Sequence, residues 1–169
     1  MRRFPLCLLG FLPLLVAVAC GSATGTTVAT SQRPAVAKPG QLVPASAVHR
    51  LTAIASRAVK LNGGHPVAWA TAVVTTHAKA LTSASPGDTT PGAKLVVYLV
   101  TIKGHFVCNL CSGPPGAHAP TGTYMSIVIN AKNFKGTDSG ISHKPPPVSP
   151  AQFGPVTHLK LHPLAARHG

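Results

Sequence analysis

Acidic side chains are almost missing from this sequence. Asp88 and Asp138 are the only two, there is no glutamate, and they stand against 15 lysines and arginines. Catalysis by paired carboxylates needs two acids held on either side of one reacting bond. Asp88 falls in a Gly/Pro-rich stretch and Asp138 in a short strand candidate, so no such pair is on offer. A Ser-His-Asp triad would have to recruit one of the same two residues, and no G-x-S-x-G elbow presents a serine. Adjacent lysines or arginines are also absent beyond Arg2-Arg3, which argues against a polybasic nucleic-acid arm. The Gly-Pro-Pro-Gly segment at 113–116 lacks the lysine and the helix that a phosphate-binding loop requires. After the first 19 residues the longest strictly apolar run is Leu95-Val96-Val97-Tyr98-Leu99-Val100, which is strand length and too short to span a bilayer.

What is present is positive charge and a leader. The formal net charge is +13, and nine histidines add to it as the surroundings become mildly acidic. Such a chain favours anionic surroundings: phospholipid head groups, wall polymers or nucleic acid. Met1-Arg2-Arg3 forms a positive start, followed by an apolar stretch broken by Pro5, Gly10 and Pro13, the pattern of a signal peptide over residues 1–19. Ala17-Val18-Ala19-Cys20-Gly21 resembles the lipobox of bacterial lipoproteins. That resemblance implies diacylglycerol on the Cys20 thiol, cleavage just before it, and attachment to the outer face of the cell membrane. The same residues also read as an ordinary A-x-A cleavage site, which would leave Cys20 free. Cys7 departs with the leader in either case.

Residues 20–44 hold Ser, Thr, Ala, Gly and Pro with few bulky side chains and read as a flexible tether. A small α+β domain is expected over residues 45–143, and a Pro-rich segment with an edge strand and tail over 144–169. Val48, Leu51, Ala55, Ala58 and Leu61 share a helical face, with Ser46 as cap and Asn62-Gly63-Gly64 as stop, predicting a helix over 46–61. The β-branched density of residues 66–79 predicts a strand with a small face at Ala68, Ala70, Ala72 and Val74, though its alanines also suit a helix. Residues 83–92 read as a loop, 94–107 as a central strand, and 124–130 and 137–142 as a hairpin. Residues 156–161 read as an edge strand. One helix packed on a mostly antiparallel sheet of three to five strands follows, because each buries the other's apolar face.

The helix at 51–61 and the hairpin carried by Ile127-Val128-Ile129-Asn130-Ala131 and Gly140-Ile141 make the domain similar to cystatin-like and PepSY-like domains of secreted bacterial proteins. The chain as a whole resembles lipoproteins of high-GC Gram-positive bacteria. The first likeness implies helix-on-sheet architecture and an inhibitor of a secreted peptidase; the second implies location.

Cys108-Asn109-Leu110-Cys111 is the one motif with chemical content. In an oxidising compartment it reads as a disulfide closing a tiny loop. The alternatives are two free thiols, or His105, Cys108, Cys111 and His118 as a tetrahedral zinc site or a thiol-redox centre. The Pro-Pro and Gly residues that follow oppose the helix a C-x-x-C oxidoreductase needs. Otherwise no cofactor is expected. His77 on a strand reads as a packed or half-exposed side chain rather than a base, and so do His65, His143, His158 and His162. Trp69 and Tyr124 read as core or sheet-face aromatics rather than a ligand platform. The leading expectation is therefore a non-enzymatic envelope lipoprotein whose basic domain binds an anionic polymer or an envelope protein, with nucleic acid not among its partners.

Overall fold

The computed structural model describes residues 37–63, 66–84, 92–108, 111, 116 and 118–161. Cys20, its leader and most of the tether lie outside these residues, as do Asp88, His65 and His162. In chain order the elements are α1 (Ala45–Leu61), β1 (Trp69–Thr76), α2 (His77–Ala84), β2 (Val96–Val107), β3 (Thr121–Asn130) and β4 (Gly136–Ser142). A 3₁₀ turn (Pro150–Phe153) and the short β5 (Thr157–His158) complete them. The fold is α+β, with α1 on one face of a five-stranded antiparallel sheet ordered β4-β3-β2-β1-β5. No described helix is long and apolar enough to cross a membrane.

Helix α1 buries Ala47, Leu51, Ala55 and Val59, one residue per turn at i, i+4 spacing. This row is rotated from the expected one: Val48 and Ala58 flank it and Leu61 is 47% exposed. Leu51 and Val59 enter one core with Ala70 and Ala72 of β1 and with Tyr98, Val100 and Ile102 of β2, the strand against which α1 lies most closely. Burying those two side chains is worth roughly 1.5–3 kcal/mol each before ordering costs. Ser46 is not the cap. Pro44 holds that position without a side-chain bond, and its carbonyl accepts from the Ala47 and Val48 amides at 2.8 and 3.2 Å. Asn62 closes the helix, its amide nitrogens donating to Ala58 and Val59 carbonyls before Gly63 turns the chain at φ 59°.

The stretch expected as one strand over 66–79 divides after Thr76. β-branched Val73, Val74, Thr75 and Thr76 hold the extended chain, and the alanine-bearing residues 77–84 then coil into α2. The first amides of α2 are not orphaned, since His77 and Ala78 donate to the carbonyls of Leu95 and Ala93 at 2.8 and 3.2 Å. β2 is central as expected, with both faces covered. Its even residues Tyr98, Val100 and Ile102 face α1. Val97 and Leu99 face α2 and the segment that returns from β4 to β5, where Phe153 and Val156 pack. That returning segment includes the Pro-rich stretch. Ser83 Oγ donates to the Val148 carbonyl at 3.0 Å and ties it to α2. Residues 144–161 are thus integral to the domain, since Leu159 is also buried in the core.

The packed region also begins earlier than residue 45. Ala37 and Val43 are buried, and the Gly40 amide donates to the Val74 carbonyl at 3.0 Å. A Cβ on Gly154 would lie 2.9 Å from Gly40 Cα, so the two segments meet where only glycine fits. Two apolar anchors are therefore enough to dock the end of the expected tether.

Candidate functional site

The turn between β3 and β4 sets the geometry of one sheet edge. Asn130 Oδ1 accepts from the Lys132 amide, Asn133 Oδ1 from the Lys135 amide, and the Asn130 and Lys135 backbones close the loop at 2.9 Å. Phe134 is left-handed at φ 60°, a conformation costing roughly 1–2 kcal/mol outside glycine. It is held there by Tyr98, ring to ring at 5.6 Å, and by the Arg50 guanidinium 4.1 Å over its face. Burial in this cluster pushes the Tyr98 phenol above its ordinary 10.0. β4 then starts with a bulge between the Val128–Asp138 and Ile129–Gly136 pairs, where the Thr137 hydroxyl donates to the Val128 carbonyl at 3.3 Å.

Three features follow from this frame. The first is a cleft of about 420 Å³ between the C-terminal end of α1 and the β3–β4 edge. Helix α1 lies most closely against β2, so the inner face of β3 and β4 is not fully roofed. Ala58 and Leu61 form one wall, Met125, Ile127 and Ile141 another, and the Cys108–Cys111 disulfide borders both. Thr137 and Ser139 supply hydroxyls, and no lysine, arginine or histidine is among the described lining residues.

The second is a histidine–carboxylate hydrogen bond on the other face. The Nε2–H of His77 donates to Asp138 Oδ2 at 2.7 Å, with side-chain exposures of 4% and 24%. It joins the first residue of α2 to the edge strand across 61 positions of sequence. His77 Nδ1 is buried without a partner among the described residues, so the ring presents no free face to a substrate. The pair reads as a structural latch. Sequence reasoning missed it because two residues so far apart carry no spacing signal. The one available clue was that Asp138, on a strand of a chain with two acids, had many cationic suitors.

The third is a cross-strand row. Register aligns Trp69 with Lys103, Lys103 with Tyr124 and Tyr124 with Ser142 on the face opposite α1. Trp69 is 38% exposed, while Lys103 and Tyr124 are half-buried. The indole and phenol rings are 6.3 Å apart at 59°, and Lys103 Nζ stands 5.8 Å over the tyrosine ring. All three side chains are at least partly exposed, which places two rings and an ammonium together at the surface. The neighbouring row is hydroxyl-rich, with Thr71, Thr101 and Ser126 all buried.

Cys108 and Cys111 are joined in a disulfide with Cα atoms 5.3 Å apart. That bond uses both sulfurs, and no group of three metal-ligating side chains forms among the described residues, so the four expected zinc ligands are not assembled. His105 projects outward from a one-residue bulge between Lys103 and Phe106, and His118 is exposed. His143 is exposed beyond β4, and His158 lies on β5 opposite Thr71. No protein-family model matches the chain, and no curated protein or solved structure matches it significantly.

Proposed function

We propose that this chain is a non-enzymatic protein of the bacterial cell envelope, held to the membrane through a lipid on Cys20, whose basic domain binds an anionic envelope polymer. The observation that carries the reading is the in-register, partly exposed row of Trp69, Lys103 and Tyr124 on the sheet face opposite α1. Aromatic rings stack on the apolar faces of sugar rings, and an ammonium between them pairs with phosphate or carboxylate groups along a glycan. Charge favours the same partner: the chain carries +13 and two acids, and Asp138 is already engaged by His77. A disulfide suits an oxidising, extracytoplasmic setting. The lipobox-like residues 17–21 supply the attachment, and the leader supplies the export.

The test uses the full chain secreted with Cys20→Ser, so that polymer binding is read without the membrane. Purified phosphate-bearing wall glycan should bind saturably, more weakly as salt rises, because surface charge is screened within about 8–10 Å at physiological ionic strength. Trp69→Ala and Lys103→Ala should each lower affinity by about fivefold or more, matching loss of roughly 1 kcal/mol of ring or cation contact. Binding that is absent, or unchanged in both variants, would remove the basis of this reading.

A further inference from the structure

We propose that the cleft beside the disulfide is a second and separate binding site, which takes a single acyl chain of a membrane amphiphile. Its volume of about 420 Å³ lies in the range of small-ligand pockets, roughly 300–1,000 Å³. At about 30 Å³ for a water-sized group, it holds on the order of a dozen methylenes, which is one chain and not two.

The lining decides the chemistry. Met125, Ile127 and Ile141 on the sheet side and Ala58 and Leu61 on the helix side offer carbon, and the disulfide adds polarisable sulfur. Fifteen lysines and arginines and nine histidines are distributed over this chain, yet none is among the described lining residues. Asp138 borders the cleft, but its carboxylate is turned to His77 on the opposite face and held there at 2.7 Å. The part of a ligand that enters is therefore uncharged, and among the described lining residues a sugar or phosphate would find, besides the engaged Asp138, only the Thr137 and Ser139 hydroxyls and the Asn62 amide, which already donates to the Ala58 carbonyl, for many polar groups. An acyl chain leaves no polar group unpaired. The cations adjoin the site only in sequence, Lys60 beside Leu61 and Lys135 beside Gly136, where they suit a head group left outside.

Dansyl-undecanoic acid, whose fluorescence rises when its environment becomes apolar, is the probe, titrated without detergent into the full chain carrying Cys20→Ser. One probe per chain should bind saturably and be displaced by palmitate. Ser139 is exposed on β4 and shares the α1-facing side with Ile141, so Ser139→Trp fills the cleft from its edge without entering the core. That variant, checked for native circular dichroism, should bind at least tenfold more weakly. Lys103→Ala, on the other face, should bind as the parent does, which separates this site from the polymer row. No saturable binding by the folded parent chain, or equal binding by folded Ser139→Trp, overturns the proposal.

Discussion

Removing the carboxylate of Asp138 should destabilise the domain well beyond what a half-exposed edge-strand position suggests. In the native fold the Nε2–H of His77 donates to Oδ2 at 2.7 Å, and the other ring nitrogen has no partner among the described residues. Asp138→Ala would leave both nitrogens of a 3% exposed ring unpaired. A hydrogen bond to a charged group contributes about 1.5–3 kcal/mol net, and a buried polar group left unpaired costs about 1–3 kcal/mol. Asp138 is itself 24% exposed, so water reaches the vacated side and the lower half of that range applies, about 2 kcal/mol. For a chain of this size that is a fall in Tm of roughly 8 °C, at about 4 °C per kcal/mol. Asp138→Asn keeps a carbonyl acceptor and should lose about half as much. The assay is urea unfolding followed by circular dichroism, closed as a double-mutant cycle with His77→Leu. A coupling of at least ~1 kcal/mol is expected because each single change strands the other partner. Asp138→Ala unfolding within ~0.5 kcal/mol of the parent, or a coupling near zero, would refute the latch.

Other positions give sharper structural tests. Gly122→Ala would place a methyl against Ile141 Cγ2 and 2.9 Å from the Ser142 carbonyl oxygen, so a loss of about 1–3 kcal/mol is expected in the same urea assay. A variant as stable as the parent would mean that β3 and β4 are not so closely apposed there. Cys108→Ser with Cys111→Ser opens a loop whose cysteines are three positions apart, for which loop-closure entropy gives about 2 kcal/mol. The reduced chain should therefore stay folded with a lower midpoint, and complete unfolding on reduction would contradict this. Tyr98 should limit stability in alkali. Its folded-state pKa is raised by burial above 10.0, so its contribution is intact below that value and is lost as pH rises through the higher folded value. Absorbance of phenolate and loss of structure, recorded together, should show this tyrosine ionising only as the domain opens. Ionisation at its ordinary value in a fully folded chain would refute its burial.

Much of the architecture is written in local pattern. The i, i+4 alanines and leucine of α1, the small alternate positions of β1 and the continuous apolar run of β2 each report how their element is buried, so the helix-on-sheet arrangement follows. The departures have equally local causes. α2 was hidden because a strand runs directly into it at His77 with no glycine or proline to mark the change, and its eight residues show fewer than three turns of pattern. The helix starts one residue before Ser46, at Ala45, so the serine lies inside the first turn and Pro44 holds the cap position. The domain ends moved outward for a different reason. Ala37, Val43, Phe153 and Leu159 stand singly or in runs of two or three apolar residues within polar or Pro-rich sequence, and composition averages them away although all four pack into the domain.

The sites were much less legible, and the sheet explains why. A cross-strand row is a property of register, and register here depends on where the chain inserts single residues. Lys103 meets Trp69 and Tyr124 only because the bulge at Gly104 and His105 comes after it rather than before. One residue's difference would turn the ammonium toward α1 and put Ile102 among the rings. The bulge at Thr137 does the same for β4, directing the Asp138 carboxylate to His77 while Ser139 and Ile141 face the cleft. The Cys-x-x-Cys motif was visible because its geometry is contained in four consecutive residues. The aromatic row, the latch and the cleft draw on elements separated by roughly twenty to eighty positions, where no spacing rule operates. β4 takes part in both the latch and the cleft, its alternate residues serving opposite faces of a single edge strand. That strand therefore carries a buried hydrogen bond on one side and an apolar wall on the other.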